Sequence, residues 1–181
     1  MNTLSNPRAN ISAANPTRWV GAVLFALMFW FSSSLLMDFV VMPGLYVSGM
    51  MSQPDFGSAG YAMFWVFNRL ELLCAAMVVT GLLVARQNRR EEAVVVSGFC
   101  SRWALELGLG LLAITLVLTY AVAPAMASLG AALDPFATTL AVPTEMDQMH
   151  GLYFALDALK LLGCAGLLGL FYRDLSQADA S

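Results

Sequence analysis

Charged residues are scarce in this chain, and cysteine and histidine are scarcer. Only 12% of its 181 residues are charged, against about 25% in soluble domains, so an ordinary soluble globular protein is excluded. The net charge of -3 leaves no basic face to neutralise phosphates, and nucleic acid is therefore not an expected partner. Three cysteines are an odd number at no metal-ligand spacing, which predicts neither a disulfide framework nor a zinc site.

The motifs of soluble enzymes are missing as well. The sequence contains no P-loop, no dinucleotide-binding glycine pattern, no CxxC and no recognisable Ser/His/Asp arrangement. The sequence therefore gives little support to an enzyme and does not by itself name a biochemical activity.

Four long apolar runs make up most of the chain, of which 59% is hydrophobic. Crossing about 30 Å of hydrocarbon takes about 20 apolar residues in a helix, and the segments 19–41, 62–85, 103–123 and 152–172 qualify. The first run is too long for a signal peptide and is interpreted as a retained span. These features predict an all-α, multi-pass integral membrane four-helix bundle whose immediate partner is the lipid bilayer.

The basic residues predict the orientation of the bundle, because Lys and Arg are enriched in cytoplasmic segments near span ends. The connections 42–60 and 124–149 contain neither residue type, whereas the tails 1–18 and 173–181 and the connection between spans two and three are basic. Both tails are therefore predicted to be cytoplasmic. The arginines that carry this argument are Arg8, Arg18, Arg86, Arg89, Arg90, Arg102 and Arg173.

Spans two and four contain charges well inside their apolar length, namely Arg69 and Glu71, then Asp157 and Lys160. Each charge at mid-bilayer costs roughly 2.5–3.5 kcal/mol, so such residues usually face a bundle interior and find partners there. A rise of about 1.5 Å per residue puts them at a similar depth. The predicted intramembrane polar cluster consists of Asp38, Asn68, Arg69, Glu71, His150, Asp157 and Lys160.

Spacing predicts the pairs within this cluster. Asp157 and Lys160 are three residues apart on one helix face and are expected to pair. Arg69 and Glu71 point to nearly opposite sides, so Arg69 is expected to approach Asp38 or Asp157, and Glu71 to approach Lys160 or a partner subunit. These charges either hold the helices together by ion pairing or form a substrate or proton site, and the sequence leaves both interpretations open.

His150, Asp157 and Cys164 repeat every seven residues, which predicts that they share one helix face. His150 either passes a proton toward Asp157 or caps the start of its helix beside Asp147.

A second reading of His150 concerns metals. Met146, Met149 and His150 fall within about one turn and offer soft ligands for Cu(I), although methionine is also common apolar filler. A His and a Met could likewise ligate haem. No cofactor, haem and copper all remain open.

The chain resembles the four-span family typified by transmembrane protein 205. The similarity lies in the proline-led end of span one, Phe39-Val-Val-Met-Pro43-Gly-Leu, in the start of span two, Met63-Phe-Trp-Val-Phe-Asn68-Arg69, and in His150-Gly151 at the start of span four. The resemblance implies a four-helix membrane bundle and brings no catalytic residues with it.

The leading functional interpretation is a multi-pass protein that binds or translocates a small cation, a proton or a polar solute through the charged cluster. Four helices enclose little interior space, so a homo-oligomer is a natural extension of this idea. The first alternative is an accessory or assembly subunit of a larger membrane complex, and the second is a membrane protein that binds haem or copper.

Overall fold

Four long helical segments form the protein. The computed structural model describes residues 16–50, 53, 56–88, 102–131 and 144–178, and within these residues there is no strand. The elements are α1 (Pro16–Leu36), π1 (Met37–Val41), α2 (Met42–Val47), α3 (Phe56–Asn88), α4 (Arg102–Val117), π2 (Leu118–Val122), α5 (Ala123–Ala131) and α6 (Thr144–Ala178), where π1 and π2 are π-helical turns. The all-α, four-span prediction is confirmed.

The spans are longer than predicted at one end. Helices apolar and long enough to cross a membrane cover Trp19–Val47, Phe56–Gln87, Arg102–Gly130 and Thr144–Arg173. All four extend past the predicted limits at the end of the bundle that lies away from the chain termini. We call this the distal end of the bundle, and the opposite end the proximal end. Residues 1–15, 51–52, 54–55, 89–101, 132–143 and 179–181 lie outside the described residues, and with them most of the predicted amino-terminal tail, Arg8, Arg89 and Arg90.

The helices form a ring in chain order. α1 packs beside α3 and α6, and α4 packs beside the same two helices, so α3 and α6 face each other across the bundle axis. Neighbouring helices run antiparallel, since Ser34 of α1 meets Glu71 of α3 while Val23 lies against Gly81, further along α3. A side chain on the inward face of α3 can therefore meet one on α6 at the axis.

Glycines allow the closest helix contacts. A Cβ atom on Gly81 would lie 2.0 Å from Cγ2 of Val23, and one on Gly163 would lie 2.8 Å from Cδ2 of Leu111. Small residues permit this approach where dispersion contacts hold membrane helices together. Gly81 thus fixes the spacing of α1 and α3, and Gly163 that of α4 and α6.

Two rings of exposed aromatic side chains indicate how the bundle sits in a bilayer. Trp19, Trp103 and Tyr172 form the proximal ring, and Phe39, Trp65, Tyr120 and Phe154 form the distal ring. In the three spans that contribute to both rings, the ring members are 17 to 20 residues apart, or roughly 25–30 Å, which is close to the hydrocarbon thickness. Aromatic residues favour the membrane interfaces, so these rings place the distal interface near Trp65.

Candidate functional site

A layer of buried polar side chains crosses the bundle between two apolar regions. Each of the four spanning segments contributes to it, and its members are Ser34, Asn68, Glu71, Thr115, Thr119, Asp157 and Lys160, called the polar layer below. On the proximal side the core is apolar and includes Leu27, Leu82, Leu111, Leu167 and Phe171. The polar layer therefore has no polar connection to the proximal end through the buried core of the described residues.

An ion pair lies at the centre of this layer. Nζ of Lys160 is 2.5 Å from Oε1 of Glu71 and also contacts Oδ1 of Asp157, one helical turn away. The side chains of Lys160 and Glu71 are each only 1% exposed. Because α3 and α6 are diagonal neighbours, the Glu71–Lys160 pair lies on the bundle axis. The predicted pairing of Asp157 with Lys160 and of Glu71 with Lys160 is confirmed.

The Glu71 carboxylate has a second partner, which the sequence analysis missed. Oγ of Ser34 donates to Oε1 of Glu71 at 2.7 Å. Ser34 precedes Asp38 by four residues and so lies near the same face of span one, which is a signal that spacing could have supplied. Glu71 is consequently held from α1 and from α6, while its other oxygen, Oε2, has no hydrogen-bond partner among the described residues.

Asp38 lies beside the polar layer at π1. Its carboxyl group is close enough to the carboxyl groups of Asp157 and Glu71 and to the ammonium group of Lys160 to interact with their charges. Asp38 is half-buried, whereas Glu71, Asp157 and Lys160 are buried. Asp38 is therefore the most accessible of these four charged groups.

Acids outnumber bases in this group. Asp38, Glu71, Asp157 and Lys160, called the acid–lysine cluster below, comprise three carboxyl groups and one ammonium group. Lys160 is the only lysine in the chain. A buried excess of negative charge is unfavourable in a low-dielectric interior, so the cluster favours binding of a proton or another cation.

The distal side of the layer is closed by Asn68 and Tyr153. The hydroxyl of Tyr153 donates to Oδ1 of Asn68 at 3.3 Å, and the Tyr153 ring meets Phe64 edge-on with 5.5 Å between the ring centroids. Nδ2 of Asn68 has no hydrogen-bond partner among the described residues. Asn68 belongs to the polar layer as predicted, and Tyr153, four residues before Asp157, is a contributor that was not among the predicted site residues.

Two irregular helical turns flank the layer. π1 contains Asp38, and π2, on the diagonal helix, contains Thr119. Thr119 and Thr115 donate to backbone carbonyl groups one turn earlier, at 2.7 Å and 2.8 Å, and keep their hydroxyl oxygens as acceptors facing the core. Single π-helical turns occur frequently at functional sites, and this pair lies where the buried charges are.

Arg69 does not join the cluster. Its guanidinium carbon lies 3.5 Å from the centroid of the Trp65 ring, and its Nη1 donates to the Trp65 carbonyl oxygen at 3.4 Å. The expected approach of Arg69 to Asp38 or Asp157 is therefore wrong. The reason is helical geometry: Arg69 precedes Glu71 by two residues, or about 200° around the helix, so when Glu71 faces inward Arg69 points out of the bundle.

His150 also lies outside the cluster. Its side chain is exposed, and Nδ1 is 2.8 Å from the Met146 carbonyl oxygen, one turn earlier. The seven-residue spacing correctly placed Asp157 and Cys164 on the buried face of α6. His150 lies two turns closer to the distal end, about 10 Å from Asp157 along the axis, and it is exposed at the edge of the face on which Met146 and Tyr153 are buried.

The three predicted metal ligands, Met146, Met149 and His150, differ in how deeply they are buried. Met146 is buried, with its terminal methyl 3.7 Å from the position that a Cβ on Gly130 would occupy, whereas Met149 is half-buried and His150 exposed. Within the described residues, no three His, Cys, Asp or Glu side chains converge to hold a metal ion. Copper or haem binding stays a prediction.

Comparison with known proteins adds no relative to this picture. No family model, no curated protein and no solved structure gives a significant match to the chain. The resemblance to the four-span family therefore stays a prediction, and the site is interpreted from its own geometry.

Proposed function

We propose that this multi-pass membrane protein binds a proton in the acid–lysine cluster and exchanges it with the distal side of the membrane. The observation that carries the proposal is that a single ammonium group, that of Lys160, serves two buried carboxyl groups, Glu71 and Asp157, with a third carboxyl group, Asp38, beside them. A proton bound by one of these acids reduces the excess negative charge.

The role of each residue in proton binding follows from how deeply it is buried. Asp38 is half-buried and is the first group that a proton from outside the bundle reaches. Asp157 receives the proton from Asp38, while Lys160 neutralises the remaining acid, Glu71. Ser34 and Asn68 are positioning residues, because Ser34 fixes the Glu71 carboxylate and Asn68 anchors Tyr153 above it. Charged groups of this kind inside membrane proteins commonly belong to ion or proton routes.

The packing around Asp38 supports access from the distal end. α2 follows π1 directly, and π1 is the one described element against which it packs, so α2 does not cover Asp38 with a further helix. On the other side of the distal end, α5 packs on α3 and α6 and covers them. The apolar core closes the proximal side. In each of its states, a carrier or a proton-coupled transporter exchanges protons with one side of the membrane only, and this arrangement fits that requirement.

Lys160 favours a proton over a metal ion as the bound species. Its ammonium group already occupies the position between Asp157 and Glu71, where a metal ion would have to bind both carboxylates. A divalent ion placed there would meet a positive charge at contact distance, whereas a proton adds to a carboxyl oxygen without displacing Lys160.

Infrared spectroscopy of the protein in lipid nanodiscs tests the proposal directly. A pH titration of the wild type should show a carboxylic-acid C=O band that persists near neutral pH, because one of the three acids of the acid–lysine cluster is protonated. Asp38→Asn should abolish that band. Glu145→Gln, the same neutralisation at an exposed position in the first turn of α6, should leave it unchanged.

A transport measurement complements the spectrum. Proteoliposomes that contain a pH-sensitive dye should acidify faster than empty liposomes under a proton gradient, and Asp38→Asn and Asp157→Asn should remove the difference. If both variants keep wild-type spectra and fluxes, the cluster is a structural ion pair and the proposal is wrong.

A further inference from the structure

Arg69 is a half-buried cation at the outer edge of the bundle, within the apolar part of α3. Exposed apolar side chains lie beside it along that helix, namely Val66, Leu70 and Leu73. Neither of the ion pairs in the described part of the chain includes Arg69. An arginine at a lipid-facing edge is costly without a counter-ion, so its charge favours an anionic partner.

The conformation of Arg69 directs its charge toward the distal interface. The guanidinium group extends back by one turn to lie over the ring of Trp65 and to donate to the Trp65 carbonyl oxygen. Trp65 belongs to the distal aromatic ring, and it is 45% exposed. Arg69 therefore reaches from the hydrocarbon edge to the level at which lipid headgroups lie.

The chemistry of this pair fits a phosphate. The ring of Trp65 holds the guanidinium plane, and the single bond to the Trp65 carbonyl leaves most of its N–H donors free. A planar guanidinium with several free donors binds phosphate oxygens in a bidentate manner. The exposed apolar side chains on either side match acyl chains, whereas a carboxylate on a partner protein would require that protein to cover them.

We infer that Arg69 and Trp65 form a binding site for the phosphate group of a membrane phospholipid at the distal interface. The Trp65 ring orients the guanidinium group, Arg69 binds the phosphate, and Leu70 and Leu73 contact the acyl chains. This inference is independent of the proton proposal, because Arg69 does not touch the acid–lysine cluster.

Native mass spectrometry of the full-length protein, purified in mild detergent and titrated with phosphatidylglycerol, tests the inference. Arg69→Gln should weaken binding of the first lipid by about tenfold, the effect of one charge-assisted hydrogen-bonded contact. Arg69→Lys keeps the charge but loses the planar fork, so it should weaken binding less. Arg173→Gln removes an exposed arginine at the proximal end and should leave this first binding step unchanged.

Two further measurements keep the outcome decisive. Phosphatidylcholine carries the same phosphate without net charge and should show the same dependence on Arg69, whereas free inorganic phosphate should bind far more weakly because it lacks the acyl chains. Equal lipid binding by wild type, Arg69→Gln and Arg69→Lys would overturn the inference. So would a stoichiometric protein that co-purifies with the wild type and is lost with Arg69→Gln, since Arg69 would then contact a partner subunit.

Discussion

Lys160 is the residue on which the buried charges depend. It is the only base in contact with Glu71 and Asp157 among the described residues, and its side chain is 1% exposed. Removing one partner from a buried ion pair leaves an uncompensated charge, which costs more than the pair contributes. Removing Lys160 alone should therefore cost much more stability than removing Lys160 and Glu71 together.

Lys160→Met should destabilise the protein by roughly 3–5 kcal/mol at neutral pH, because Glu71 and Asp157 are left close together with no cation. The loss should shrink as the pH is lowered, since protonation neutralises the two acids. Adding Glu71→Met to Lys160→Met should recover part of the stability. Thermal unfolding in detergent, followed by circular dichroism, measures all three effects, and a double variant less stable than the single one would contradict this view.

The spacing of residues along the sequence correctly predicted part of the candidate site. It placed Asp157 beside Lys160 and Glu71 within reach of Lys160, because the periodicity of one helix fixes which side chains share a face. It did not place Arg69 correctly, because the sequence shows that Arg69 and Glu71 diverge but not which of them faces inward. Spacing could have placed Ser34 on the face of Asp38, but its hydrogen bond to Glu71 depends on which helices are neighbours, and no local pattern encodes that.

At the scale of elements, glycines decide how closely the helices approach. Gly81 lies against Val23, a β-branched residue with little rotamer freedom. A methyl group at Gly81 would overlap Cγ2 of Val23, and α1 would have to move away from α3. The Ser34–Glu71 hydrogen bond joins the same two helices, so this spacing also affects the candidate site.

Gly81→Ala is therefore expected to destabilise the protein by roughly 1–3 kcal/mol, the usual cost of overpacking. Gly110→Ala is the matched control: it makes the same change within a spanning helix at a position with no other atom within 4 Å. The control should be neutral or slightly stabilising because alanine favours helix. Unfolding temperatures of the two variants give the comparison, and equal values would show that α1 and α3 are not held at this contact.

At the scale of the whole molecule, the protein spans a bilayer with its polar layer off-centre. Asp38 and Glu71 lie near the distal aromatic ring, and a deep apolar core separates them from the proximal end. The distribution of arginines predicts that the proximal end, with both termini, faces the cytoplasm. If so, the acid–lysine cluster exchanges with the non-cytoplasmic side.

Cysteine labelling tests that orientation. In a background in which Cys74, Cys100 and Cys164 are replaced by alanine, Glu145→Cys places a thiol at the distal end and Ser176→Cys places one at the proximal end. A membrane-impermeant maleimide added to intact cells should label the first variant alone, and lysis should expose the second. The reverse pattern would invert the orientation and the side on which the cluster exchanges.

The sequence by itself determined the class of fold, the number of spans and the helices that carry buried charges. These follow from composition and periodicity, because hydrocarbon imposes the same length and backbone requirement on every span. Only the tertiary structure decided that α3 and α6 are diagonal, that Glu71 faces the axis while Arg69 faces outward, and that Ser34 meets Glu71. Those contacts depend on how each helix is rotated against its neighbours, and packing between distant segments sets that rotation.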